Sequence, residues 1–271
     1  MRTILWGAVL GMSTAAMFGG PADSVNVEDI VRRSVAATEA NWKEAPHYAY
    51  QERDIISKKN RAKGTKTYEI LMIDGSQYHK LVAVNDHPLS KEEQQAEEQK
   101  LRAEIANRQH EADRERKHRV AKYQRERAQD QALLREMAEA FQFKLVGETK
   151  LDGHDVWELA ATPKPGYVPN SRETKVLAGM KGTLWVDKAS YQWVKVHAEV
   201  TRPVSVYGFF AKVGPGTRFE LEQEPIAGNL WLPKHFAVDV NATALGFINE
   251  NSTDDETYSG YRPMSRALAM R

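Results

Sequence analysis

The sequence predicts a mainly β protein of the α+β class: a long antiparallel meander, covered by helices and interrupted by a highly charged helical insertion. Three observations carry this. Short runs rich in β-branched and aromatic residues follow one another across Asp-Gly, Gly-Asn and Gly-Pro-Gly turns. No stretch between them has the length and period of a crossover helix, so the strands are antiparallel neighbours rather than βαβ units. Residues 90–141, by contrast, contain neither Gly nor Pro and are dense in Glu, Lys and Arg.

The elements follow in order. "MRTILWGAVLGMSTAAMFGGPADS" has one Arg, an apolar stretch from Thr3 to Phe18 and then small residues. Gly20 and Ala22 meet the small-x-small rule, so residues 1–22 read as a secretory signal cut after Ala22, with Ala16 as second choice and an uncleaved anchor as the alternative. The expectation is one domain over 23–271, exported to the periplasm. Asn26 caps a helix over 27–42, with Val27, Ile30, Val31, Ser34, Val35 and Thr38 on one side and Pro46 as its limit. Residues 47–56 form a strand. Residues 66–89 form a hairpin around Asp74-Gly75, closed by Asn85-Asp86 and Pro88.

In the insertion, Ser90 and Glu93 make a capping box. Apolar positions are sparse until Leu133, Leu134, Met137 and Phe141. That pattern predicts a long, mostly solvated helix docked by its C-terminal end, with room for a break in its Arg-rich middle. Beyond it come a hairpin over 143–164 around Asp152-Gly153, a loop over 166–181 and a hairpin over 181–200. Strands around 204–213, 217–226, 230–249 and 255–262 complete the meander.

Composition narrows the function. With 38 Lys+Arg against 37 Asp+Glu, the net charge of +1 argues against a nucleic-acid partner held on a broad basic face. The absence of cysteine excludes disulfides, thiolate zinc sites, a thiol nucleophile and a lipid-anchored N-terminal Cys. His197 and Glu199 share a strand face, and His154 lies between Asp152 and Asp155, but neither set has a third ligand at a zinc spacing. No Gly-x-Ser-x-Gly or Ser-x-x-Lys is present, and Gly214-Pro215-Gly216 lacks the Lys-Ser/Thr of a phosphate loop. The sequence therefore points away from an enzyme, a metal and a cofactor.

What remains is apolar surface. Strict alternation over 191–200 puts Val194, Val196, Ala198 and Val200 on one face, and Tyr191, Trp193, Lys195, His197 and Glu199 on the other. "YEILMI", "LWV" and "GFFAKV" carry apolar residues on both faces, one for an ordinary core and one for helices or an apolar ligand.

Gly147, Thr149, Pro163-Lys164, Leu184-Trp185-Val186-Asp187 and the Asp74–Tyr78 turn resemble the lipoprotein-localisation superfamily. That group includes the LolA and LolB carriers and RseB/MucB-type sensors. The match covers roughly 27–89 and 143–262. It implies a LolA-like half-barrel, an unclosed curved sheet whose concave apolar face binds lipid or lipoprotein acyl chains beneath helices. The candidate cleft residues are then Trp185, Val194, Val196, Phe209, Phe219, Leu221, Trp231 and Phe236, with the aliphatic side of 191–200 taken as the lining face. Ile30, Val31, Val35, Met137 and Phe141 are the candidate lid face. Arg53 is the candidate counterpart of the carriers' lid-latching arginine. The chain departs from LolA and LolB in its 90–141 insertion, which supports an alternative: a sensor-like module that docks an envelope protein through that helix.

Overall fold

The computed structural model describes residues 25–58, 61–171, 173–205, 211–244, 248–249 and 251–264. The proposed signal segment, Phe209 and Phe210 lie outside them. Three helices are present among these residues: α1 (Val27–Glu44), α2 (Lys91–His110) and α3 (Asp113–Ala140). The strands before the insertion are β1 (Tyr48–Lys58), β2 (Arg61–Ile73), β3 (Ser76–Val84) and β4 (His87–Pro88). After it come β5 (Phe141–Leu151), β6 (His154–Pro163), β7 (Met180–Asp187), β8 (Trp193–Val200), β9 (Val204–Ser205) and β10 (Ala211–Val213). The chain continues through β11 (Arg218–Ala227), β12 (Leu230–Val240), β13 (Ala242–Ala244), β14 (Ile248–Asn249) and β15 (Ser252–Pro263).

Eleven strands form one sheet in the order β4-β3-β2-β1-β15-β12-β11-β8-β7-β6-β5, and β14-β13-β10-β9 form a second, small one. Every pairing is antiparallel, as the turn chemistry requires. The large sheet is open, a half-barrel rather than a closed one, with β4 and β5 as its edges. The pairing of β1 with β15 joins the strands that precede the insertion to those that follow it. The expected Asp-Gly turns are present: Asp74 and Gly75 have φ of 45° and 87°, and Asp152 and Gly153 have 50° and 86°. Both residues in the left-handed region is the signature of the tight hairpin turn that matches strand twist.

Residues directly opposite one another in a ladder share a face. One such row runs Leu145–Leu159–Leu184–Val196–Leu221–Phe236–Glu256–Asp54 across eight strands. We call the face it marks the front. Helix α1 packs there, with Ile30 against Leu159, Leu184, Val186, Trp193 and Leu221. Its Asn26 cap accepts from the Asp29 N–H at 3.0 Å, and the helix runs two residues past the expected end to Glu44.

The insertion takes the break allowed for, just ahead of its Arg-rich stretch, and is more engaged with the body than expected. It is two helices, broken at Glu111 and Ala112, whose backbones are extended. Leu101 and Ile105 of α2 pack on Ala49, Leu71 and Ile73. These alternate with Tyr50 and Ile70, which are paired on the front, so α2 lies on the back. Helix α3 returns over the front, where its C-terminal Met137 meets the α1 cluster. The chain thus folds round the tip of the β2–β3 hairpin, and a straight helix cannot reach both faces.

The tip holds the break in place. Arg108, buried at the end of α2, donates to the Ile73 carbonyl at 2.7 Å, the Ser76 carbonyl at 2.9 Å and the Gln77 carbonyl at 3.2 Å. From the other side, Arg116 and Arg119 of α3 bind the Asp74 carboxylate, at 2.8 and 3.4 Å. Helix and turn approach closely: a Cβ on Gly75 would lie 3.1 Å from Val120. The Ser90–Glu93 capping box starts α2 as expected.

Arg108→Ala removes the guanidinium that the Ile73, Ser76 and Gln77 carbonyls share. Loss of about 3 kcal/mol of stability is expected, read as a lowered urea midpoint. An unchanged midpoint would show that the tip does not hold the insertion.

Candidate functional site

Three small residues lie side by side on the front face. Ala161 of β6, Gly182 of β7 and Ala198 of β8 are in register, between Phe143 on one flank and Phe219 on the other. They make a pit in an otherwise bulky row. Above it stand Val31 and Val35 of α1 with Met137 and Ala138 of α3, and Phe141, Leu184, Trp193 and Val196 close the sides. The space between them is about 50 Å³. An apolar cavity of about 150 Å³ is the size known to take up benzene. The space is therefore a small apolar seed, and an acyl chain needs more room than it offers. Gly182 is fixed by its neighbour, because a Cβ there would lie 2.4 Å from the His197 carbonyl oxygen.

The helical cover is tied down by polar contacts as well as by packing. Trp193 Nε1 donates to Ser34 Oγ at 3.0 Å, and Asn41 Nδ2 donates to Gln192 Oε1 at 2.7 Å, all four residues being buried. Arg127 of α3 donates to the Trp42 carbonyl and stacks 4.9 Å over its ring, and Arg135 pairs with Glu39. Thr38 Oγ1 is buried between the helices without a partner among the described residues.

Past Phe236 the front face changes character. Glu256 and Asp54 continue the row, and on adjacent positions β1 and β15 add Glu52, Tyr50, Asp254 and Tyr258. The Tyr258 hydroxyl donates to Glu256, and Tyr50 packs its ring 5.9 Å from Tyr258 and 5.3 Å from Tyr261. Burial, then the neighbouring carboxylates Asp54, Glu256 and Asp254, push Glu52 up to about 8. Burial raises Asp54 and Glu256 in the same direction. Among the described residues no group of three or more His, Asp or Glu is placed to hold a metal ion.

The expected residues fall into three sets. Val196, Phe219, Leu221 and Phe236 are on the front, in one cluster with Ile30, Val31, Val35 and Met137, while Phe141 belongs to the adjoining cluster. Of these, Val31, Val35, Met137, Phe141 and Val196 line the cavity itself. Trp185, Val194 and Trp231 are not with them: they pack together on the back with Val156. The reasons are local. Trp185 lies between Leu184 and Val186, both on the front. A bulge sets Val186 opposite Trp193 and Trp185 opposite Lys195, leaving Val194 unpaired and turned backwards while Trp193 joins the aliphatic face. Phe209 lies outside the described residues. Arg53 binds Asp86 at 2.6 and 2.8 Å, far along β1 from the helical cover, and latches nothing there.

Sequence reasoning placed Ala198 on the lining face but passed over its partners Ala161 and Gly182. Their signal is smallness at matched register positions, which appears only once the strand pairing is known.

The described residues thus form an open antiparallel sheet with an apolar pit beneath two helices. No family model matches the sequence, and no curated protein matches it. The chain is similar to solved structures of the LolA superfamily and its neighbours. One is an outer membrane lipoprotein-sorting protein domain from Vibrio parahaemolyticus, at 10% identity over 87% of this chain and 94% of that one, TM-score 0.34. Another is a DUF1329 family protein from Desulfovibrio piger, at 13% identity over 90% and 97%, TM-score 0.34. A third is a LolA superfamily protein from Nitrosomonas europaea, at 10% identity over 92% and 99%, TM-score 0.32. Likenesses this distant say nothing of what the cavity holds.

Glu52 gives the site a pH signature. Its folded value, about 8 against an ordinary 4.5, means the folded chain keeps a proton that the unfolded chain releases. That stability is fully present below about pH 4.5 and is lost as pH rises through about 8. Thermal midpoints should fall across this window, and Glu52→Gln should flatten the decline. Equal slopes for the two proteins would contradict the assignment.

Proposed function

We propose that the protein is an exported binding protein for lipid or lipoprotein acyl chains, which it takes into the apolar front face between α1, α3 and strands β6 to β8. The observation that carries this is the pit over Ala161, Gly182 and Ala198, roofed by aliphatic side chains of two helices. Floor and roof are apolar, and extension of the cavity along the Leu159–Leu184–Val196–Leu221–Phe236 row needs only that the roof lift. Each methylene buried there contributes about 0.8 kcal/mol, so affinity grows with chain length. Among the described residues no helix is long and apolar enough to cross a membrane.

The alternative, a sensor module that docks an envelope protein through a projecting charged arm, has less support. Leu101, Ile105, Arg108, Arg116 and Arg119 are engaged with the protein's own sheet, so the insertion is clasped to the body rather than free.

The test is mass spectrometry of organic extracts of the protein, exported to a periplasm and purified without detergent, paired with titration of a fluorescent fatty acid. Stoichiometric lipid in the wild type is expected. Ala198→Leu, which fills the pit, should weaken fatty-acid binding at least tenfold while the protein stays folded by circular dichroism. A lipid-free wild type that also ignores the fatty acid would sink the reading.

A further inference from the structure

Helix α3 carries two arginine-rich faces with different surroundings. The inward one is Arg116, Arg119, Val120, Tyr123 and Arg127, all part-buried, at a spacing of three to four residues. Arg116 and Arg119 are bound to Asp74, and Arg127 to Tyr123 and Trp42. The outward one is Arg114, Lys117, His118, Lys122 and Arg125, all exposed and also in helical register. Among the described residues Arg114, Lys117, His118 and Arg125 form no ion pair, and Lys122 reaches only Glu126, at 3.9 Å. Three exposed acids, Asp113, Glu115 and Glu126, flank the stripe without interrupting it. In the linear sequence the acids and the inward arginines hide this pattern, and it emerges only when the helix is seated.

We propose that this outward stripe of α3 is an electrostatic docking surface for the anionic headgroups of a phospholipid bilayer. The stripe extends about 17 Å along a convex rod, a shape that meets a flat charged plane rather than clasping a peptide. Between residues 114 and 125 the only exposed apolar residue is Ala121, so the stripe supplies attraction without apolar insertion and binds reversibly. Further along the same helix, Met137 and Ala138 roof the apolar cavity. Docking α3 on a bilayer would set the movable roof close to the source or destination of acyl chains. The choice of a bilayer over an acidic protein rests on the acyl-chain reading; the charge pattern does not.

The test is co-sedimentation of the exported, detergent-free protein with vesicles of phosphatidylethanolamine and phosphatidylglycerol, and with phosphatidylcholine alone, at low and high salt. Binding to the anionic vesicles only, lost at high salt, is expected. Each of Arg114→Gln, Lys117→Gln, Lys122→Gln and Arg125→Gln should weaken it roughly fivefold, and together they should abolish it. Because these side chains are solvated, their fatty-acid binding should be unchanged. Ala198→Leu should show the converse, losing fatty acid but still binding vesicles, which separates this proposal from the cavity. Equal binding to neutral vesicles, insensitivity to the four substitutions, or loss of vesicle binding in Ala198→Leu would each overturn the proposal. So would retention on immobilised polyglutamate without any binding to vesicles, which would assign the stripe to an acidic protein.

Discussion

The tip of the β2–β3 hairpin is the point on which the rest of the molecule turns. A type I′ turn leaves carbonyls directed outward with no strand to receive them. Arg119 takes the Asp74 carbonyl, Arg108 binds the Ile73, Ser76 and Gln77 carbonyls of the flanking strands from the back, and the Asp74 carboxylate takes Arg116 and Arg119 from the front. The guanidinium is suited to this, since its donors form a rigid planar fork that loses little freedom on binding. Without that clasp a charged insertion with few apolar positions has little reason to stay on the sheet. With it, α3 is aimed diagonally over the front face, and its last turns deliver Met137, Ala138 and Phe141 to the cavity.

The front face is divided between two kinds of chemistry on one continuous sheet. From β5 to β12 it is aliphatic and aromatic, and from β15 to β1 it carries carboxyls and phenols. The boundary falls at the Phe236–Glu256 pair. Placing carboxyls where burial raises their affinity for protons costs stability at neutral pH. Such a cost is tolerated at sites that bind or switch more readily than at sites that only pack. The apolar half, by comparison, is held shut by its packing and by a few buried polar ties, Trp193 to Ser34 and Gln192 to Asn41. Those ties fix where α1 sits along the sheet, a job aliphatic contacts do poorly because they are non-directional.

Much of this was legible before any coordinates. Turn residues carry their own conformational preference, so Asp74-Gly75 and Asp152-Gly153 placed two hairpins correctly, and the Asn26 and Ser90 caps located two helix starts. The insertion was misjudged because Arg was counted as solvated. Arg108, Arg116 and Arg119 are satisfied by partners more than 30 residues away, which periodicity cannot see. At the candidate site, Val31, Val35 and Val196 lie on faces that spacing could assign, and the structure puts them around one cavity. Trp185 and Val194 were misplaced because the alternation rule was either not applied or broken by a bulge. A bulge has no reliable local signature: it is set by what the neighbouring strand demands, as Lys195 does when it turns back to reach Glu222 at 2.8 Å.

The pairing of the first strand with the last sets the order in which this chain can be made. Strand β1 lies between β2 and β15 in the finished sheet, but β15 is separated from it by nearly the whole sequence. As the polypeptide emerges, the β1–β4 meander can zip locally and the insertion can clasp its tip, yet one long edge of β1 stays bare until residue 252 arrives. Contacts of such separation close slowly, because most of the chain's freedom is surrendered before they form. An exposed edge is also an invitation to pair with another chain. The negatively charged Glu52 and Asp54 on that waiting edge discourage a second copy from adding there. In the completed sheet the same crowding, with Asp254 and Glu256 now opposite, helps hold the proton on Glu52.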